Sequence, residues 1–318
     1  MGMASHLAEL EYAVGKRSES DRIMGYVWMI VPILPLLLAI LGAAILAGFI
    51  LEVIATGISA PSPTAPTFST ESLVTVFMLG WIGLILVGFI ISIFGAVALY
   101  YMVLRRNNHF RRQRIFTSIL LPYLEAKLKE KEKSSNAVSV LALLNRDSEY
   151  EEAEKPAAVW AVLYLFVSPI VGLYVFHFLT NDLYKHFKRQ IDFSGNLEAL
   201  LKDLDVQFVS PAQYEVKRRE TVLYIILTII TAGLFWIYWF YLQLKEYNEH
   251  FKSQWRLENQ LMNTVRTMEG LPSETHPPSL PTAPLAPSPP GLKYCHYCGK
   301  ALSLDARFCD LCGKEQPA

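Results

Sequence analysis

No cysteine occurs before residue 295 of this 318-residue chain. Disulfides are therefore excluded from everything except the extreme C-terminus. Basic residues are missing too, over a long stretch: from Ile23 to Leu104 there is neither Lys nor Arg, and the only charges are Glu52 and Glu71. Such a stretch cannot be a nucleic-acid surface or an ordinary solvated domain. Also lacking are a nucleophile–base pair, a phosphate-binding glycine loop and a membrane metalloprotease motif, which points away from an enzyme. The formal net charge is +0, so no excess of one sign steers the chain to a polyanionic partner.

What fills the uncharged stretch are two apolar runs, near 25–55 and 73–104. Each exceeds the ~20 residues that cross a bilayer as a helix. The first run begins too late and is too long for a cleavable signal peptide. Between the runs lies a small, Pro/Ser/Thr-rich segment without basic residues, Gly57 to Thr67, whereas Lys16, Arg17 and Arg22 precede the pair and Arg105, Arg106, Arg111, Arg112 and Arg114 follow it. The positive-inside bias puts both flanks in the cytoplasm and the loop outside. The expected organisation is a cytoplasmic N-terminus (1–22), a transmembrane hairpin (23–104) and a cytoplasmic helical segment (105–156).

Two further apolar runs follow, 157–180 and 221–244. They belong to a repeat. His109-Phe110-Arg111-Arg112-Gln113, His186-Phe187-Lys188-Arg189-Gln190 and His250-Phe251-Lys252-Ser253-Gln254 each close a polar segment just after an apolar run. The last two share a gapless register that also pairs Tyr150 with Tyr214, Tyr174 with Tyr238 and Pro169 with Gly233. This argues for a duplicated membrane unit within 157–270, with copies at about 150–191 and 214–255. The repeated motif reads as an interfacial helix cap, with Phe at the boundary and basic side chains among headgroups. A ligand or headgroup site is the other reading. His177, near the end of an apolar run, reads as a polar side chain reaching for the interface.

The repeat leaves the topology open. As full spans, the two copies place 181–220 outside despite seven basic residues. If each copy breaks at Pro169 or Gly233 and returns, all three His-Phe motifs face the cytoplasm. About 24 apolar residues fit one crossing, so four full spans are the expectation.

Residues 271–293 contain eight prolines and form a semi-extended tether. Beyond it stand all four cysteines, as Cys295-x2-Cys298-Gly299-Lys300 and Cys309-x2-Cys312-Gly313-Lys314. Two C-x2-C turns bring four thiolates together at tetrahedral zinc distances of about 2.3 Å. Glycine after each pair permits the tight turn, and the lysines offset the −2 charge of a four-thiolate zinc site. Two disulfides are the alternative, disfavoured by the doubled Gly-Lys. Four ligands leave no open position, so the zinc is structural.

Residues 294–315 resemble the short zinc-ribbon family, with His296 and Asp310 where its members often carry Pro. Arg219 to Trp239, with Thr231-x-Gly233, an aromatic and Tyr238-Trp239, resembles an uncharacterised prokaryotic membrane family; that likeness implies architecture and no chemistry. The expected fold is an all-α integral membrane protein with about four transmembrane helices, cytoplasmic helices and a C-terminal zinc ribbon at 294–318. The expected localisation is the cell membrane, with the N-terminus and the ribbon cytoplasmic. The expected function is a non-enzymatic scaffold, sensor or assembly factor, with the lipid bilayer as one partner and a protein or a second copy docking on the ribbon. A transporter-like or membrane-enzyme component, with a cavity between the duplicated units, is the alternative. The ribbon's charge is too small for nucleic acid to be its partner. A peptide spanning 290–318 should bind one equivalent of Zn²⁺ by elemental analysis and lose it on Cys309→Ser; an ordered fold without metal would contradict this.

Overall fold

The computed structural model describes residues 3–58, 70–272, 292–294, 301–303 and 307–308. Two short N-terminal helices, α1 (Met3–Gly15) and α2 (Arg17–Ser20), lead through a 3-10 turn at Tyr26–Met29 into α3 (Ile30–Ile58). Then come α4 (Thr70–Glu130), α5 (Ala137–Glu151), α6 (Ala157–Phe166), α7 (Ser168–Asp203), α8 (Thr221–Ile230) and α9 (Leu234–Met268). Two short strands, β1 (Leu292–Tyr294) and β2 (Ala301–Ser303), pair antiparallel with Tyr294 opposite Ala301. All four cysteines lie outside the described residues.

Within the described residues two helical segments are long and apolar enough to cross a membrane, Tyr26–Ala55 and Val74–Glu130. They fold against one another as an antiparallel pair. Phe49 stacks on Phe77 at 4.2 Å, and Leu38 reaches the backbone of α4 at Gly88. The 61 residues of α4 carry no break at the expected boundary near residue 104. At 1.5 Å per residue the helix is about 90 Å long. One rod therefore joins the apolar pair to the polar body of the protein.

The other two apolar runs depart from the expectation of full spans. Each is a helical hairpin. In the first, Trp160 of α6 packs on Tyr174 and Phe178 of α7, so the chain doubles back about the break at Val167. Pro169 sits in the first turn of α7, where its missing N–H costs no hydrogen bond. In the second, Tyr224 of α8 packs on Phe235 and Trp239 of α9, and Arg219 pairs with Glu246. The turn is made by Ala232 and Gly233, both with positive φ, of 47° and 91°. Glycine tolerates that conformation where other residues are strained. Arms of 10 residues, α6 and α8, extend only about 15 Å and fall short of a crossing. The first hairpin seats on α4 through a small-residue notch. A Cβ at Gly95 would stand 2.6 Å from the Tyr164 ring, so only glycine admits this approach.

After the turns, α7 and α9 run the same way as α4. Side chains 64 residues apart on α7 and α9 meet, as in the 3.4 Å contact of Gln254 with Gln190. The parallel trio has two apolar cores. One, at the apolar end, includes Leu99, Met102, Phe176, Leu179, Trp239 and Phe240. The other includes Leu120, Leu124, Leu197, Leu201, Leu261 and Val265, closed by Leu10 of α1 and Leu141 of α5. Residues 3–22 are thus part of the bundle. Between the cores lies a polar belt.

Candidate functional site

The belt is built from the repeated motif. His109, His186 and His250 occupy one layer, one from each long helix, with exposures of 0 %, 0 % and 1 %. Their rings are edge-on to each other, with centroids 5.2 Å apart for His109–His186, 5.3 Å for His109–His250 and 5.1 Å for His186–His250. Phe110 is buried and stacks on His186 at 4.2 Å, Phe251 packs on His109 at 4.4 Å, and Phe187 joins the core at the apolar end, here called the upper core. The motif is therefore not an interfacial cap. In each copy His and Gln stand four residues apart, which places them on one helix face. That face points inward in all three, so Gln113, Gln190 and Gln254 are buried as well.

Each of two histidines is oriented by a carboxylate from a different element. Asp21, at the end of α2, accepts from His109 Nδ1 at 3.0 Å. Glu152, at the end of α5, accepts from His186 Nδ1 at 2.8 Å. These bonds leave Nε2 of both rings without a partner, and both ring nitrogens of His250 are buried and unpartnered. An unpaired buried polar atom costs about 1–3 kcal/mol. One ring nitrogen from each histidine comes within 4.8 Å of the other two, a spacing at which the three could hold a metal ion.

Charge surrounds the layer in matched pairs. Arg112 bridges Asp21, at 2.8 Å, and Glu258, at 2.9 Å, and Arg17 reaches Glu258 at 2.6 Å. Trp255 donates to Asp21 at 2.6 Å. On the other flank Arg189 pairs with Glu152 and Glu151, and Arg106 with Asp182 at 2.9 Å. Burial alone would raise the Asp21 carboxyl; His109 and Arg112 outweigh it and hold the group well below the usual carboxylate range. Glu152 is lowered in the same way, burial opposing and His186 with Arg189 prevailing. Burial depresses His186 against the pull of Glu152, and depresses His250 further, with His186 and His109 adding to it.

His177 bonds Thr221 at 2.7 Å across the two hairpins and takes no part in the layer. Cys295, Cys298, Cys309 and Cys312 fall outside the described residues; of their surroundings only the pairing of β1 with β2 is described, on either side of residues 295–300. Comparison with protein-family models, with curated proteins and with solved structures finds no match for this chain.

Arg112 is the residue whose loss exposes the belt's energetics. Arg112→Met should destabilise the protein by about 3–5 kcal/mol, because Asp21 and Glu258 then stay buried without their shared cation. Chemical denaturation in detergent, followed by tryptophan fluorescence, measures this. A loss below about 1 kcal/mol, the worth of an exposed pair, would contradict a buried network.

Proposed function

We propose that the protein is an integral membrane scaffold: a rigid helical bundle held against one face of the bilayer that presents a tethered, structurally zinc-bound ribbon to a protein partner or to a second copy. The observation that carries this is the segregation of exposed apolar surface. Leu41 and Ile54 of α3, Ile85 and Ile90 in the first half of α4, and Phe166, Ile170 and Ile229 at the hairpin turns are all exposed, and all belong to the apolar end. A contiguous apolar surface of this extent is unusual on a monomer in water and suits a lipid environment. Charged residues gather at the other end.

The hairpins support a particular topology. Because each returns, 105–156 and 181–220 lie at the same end of the fold, and seven basic residues between 181 and 220 join those after Leu104 on the cytoplasmic side. The positive-inside bias is then satisfied without exception. The two hairpins also support duplication of one unit, since residues 64 apart occupy equivalent places on parallel helices. The zinc ribbon rests on the cysteine spacing and its resemblance, with Cys295, Cys298, Cys309 and Cys312 as ligands.

A second reading has its own observations. A cavity of about 270 Å³ lies between the two hairpin turns, lined by Tyr164, Ser168, Pro169, Thr228, Gly233 and Trp236 together with Pro32 and Pro35. Histidines also face one another within the bundle, as a transporter-like or membrane-enzyme component would need. The scaffold reading is preferred because the cavity lining is mainly apolar and the histidine layer is closed off from it by the upper core.

Deleting 271–318 should leave the helical part in the membrane fraction, resistant to alkaline extraction, and monodisperse in detergent. The same deletion should abolish recovery of the partner in affinity purification. A partner retained by the truncated chain would shift the docking surface to the bundle, and release of the chain by alkali would refute membrane integration.

A further inference from the structure

We infer that His109, His186 and His250 form a binding site for one divalent transition-metal ion of the zinc class, separate from the C-terminal cysteines. The inference begins with proton counting. A neutral imidazole carries one N–H and one lone pair. In their neutral form His109 and His186 spend their N–H on Asp21 and Glu152, and each then offers a lone pair at its buried Nε2. His250 adds a lone pair and a single N–H, neither of them bonded. With all three rings neutral, three lone pairs face one proton, and at least two stay unmet by hydrogen bonds within the layer. A cation meets all three.

The geometry agrees. Ring nitrogens within 4.8 Å of each other need only small rotamer adjustments to reach the ~3.4 Å separation of donors bound at about 2.0–2.1 Å. The carboxylates behind His109 and His186 fix ring orientation and raise ligand basicity, the usual outer shell of a histidine-bound metal. Imidazole nitrogen suits zinc, copper, nickel or iron and disfavours magnesium or calcium.

Three histidines leave a fourth position. One turn further along the bundle, Oε1 of Gln113 and of Gln254 are buried without partners. Beside Gln113 a cavity of about 20 Å³ is bordered also by Gln190, Glu152 and Arg189. It has room for one water, and its wall is polar.

The test uses the full-length chain with Cys295, Cys298, Cys309 and Cys312 all replaced by serine, so that no thiolate competes. Titration with Co²⁺ should saturate at one equivalent. It should give visible d–d absorption without a thiolate charge-transfer band, and Zn²⁺ should displace it. X-ray absorption of the zinc-loaded chain should show nitrogen and oxygen scatterers at about 2.0–2.1 Å. His186→Phe and, separately, His250→Gln should abolish uptake. Glu152→Gln should weaken it about 10–100-fold, as loss of an outer-shell partner does. A helical, monodisperse cysteine-free chain that binds no Co²⁺ would overturn the site, whether or not the variants fold. Uptake preserved in both histidine variants would overturn it too.

Discussion

A carboxylate taken out of water has to be met by donors, and Asp21 is met by four side chains: His109, Arg112, Trp255 and Ser20. Those donors come from α2 itself, α4 and α9. No one of these elements can shift without leaving a buried charge unpaired, a loss of several kcal/mol. Glu152 repeats the constraint on the opposite flank, tying the end of α5 to α7. Apolar packing above and below the belt is permissive about register, because one leucine layer resembles the next. The belt is not permissive, and it sets the helices at one mutual height.

The height matters for what the long helices connect. In α4, α7 and α9 a lipid-compatible end and a charged end belong to single continuous rods. The hairpin turns at Val167 and Ala232-Gly233 bring α7 and α9 into parallel alignment with α4.

Much of this was legible in the residues, though not all of it with the right meaning. The uncharged stretch from Ile23 to Leu104 announced the long apolar pair. The disturbances at Pro169 and Gly233 marked where the chain turns, at Val167 and at Ala232-Gly233. Run length was the misleading cue: 24 apolar residues suit one crossing, but an apolar run of that length can also fold on itself and bury one side. The burial of the His-Phe motif has no local sign, because a pentapeptide beside an apolar run does not disclose its depth. The four-residue spacing of His and Gln, present three times, was the signal that one polar face points inward. Asp21, Glu152 and Glu258 had no local signal. They arrive from 88, 34 and 146 residues away from the groups they meet, a pairing that only the tertiary fold creates.

Throughout the bundle α7 and α9 run parallel, each entered through a helical turn, and meet at residues 64 apart. The most direct test of this alignment is a disulfide between Gln190→Cys and Gln254→Cys, whose native side chains touch at 3.4 Å, with the four native cysteines replaced by serine. The account predicts rapid intrachain cross-linking under mild oxidation in native membranes, and none for Gln190→Cys paired with Leu234→Cys at the opposite end of α9. Four full spans would put positions 190 and 254 on opposite sides of the bilayer, so a Gln190–Gln254 pair that fails to cross-link would contradict the account.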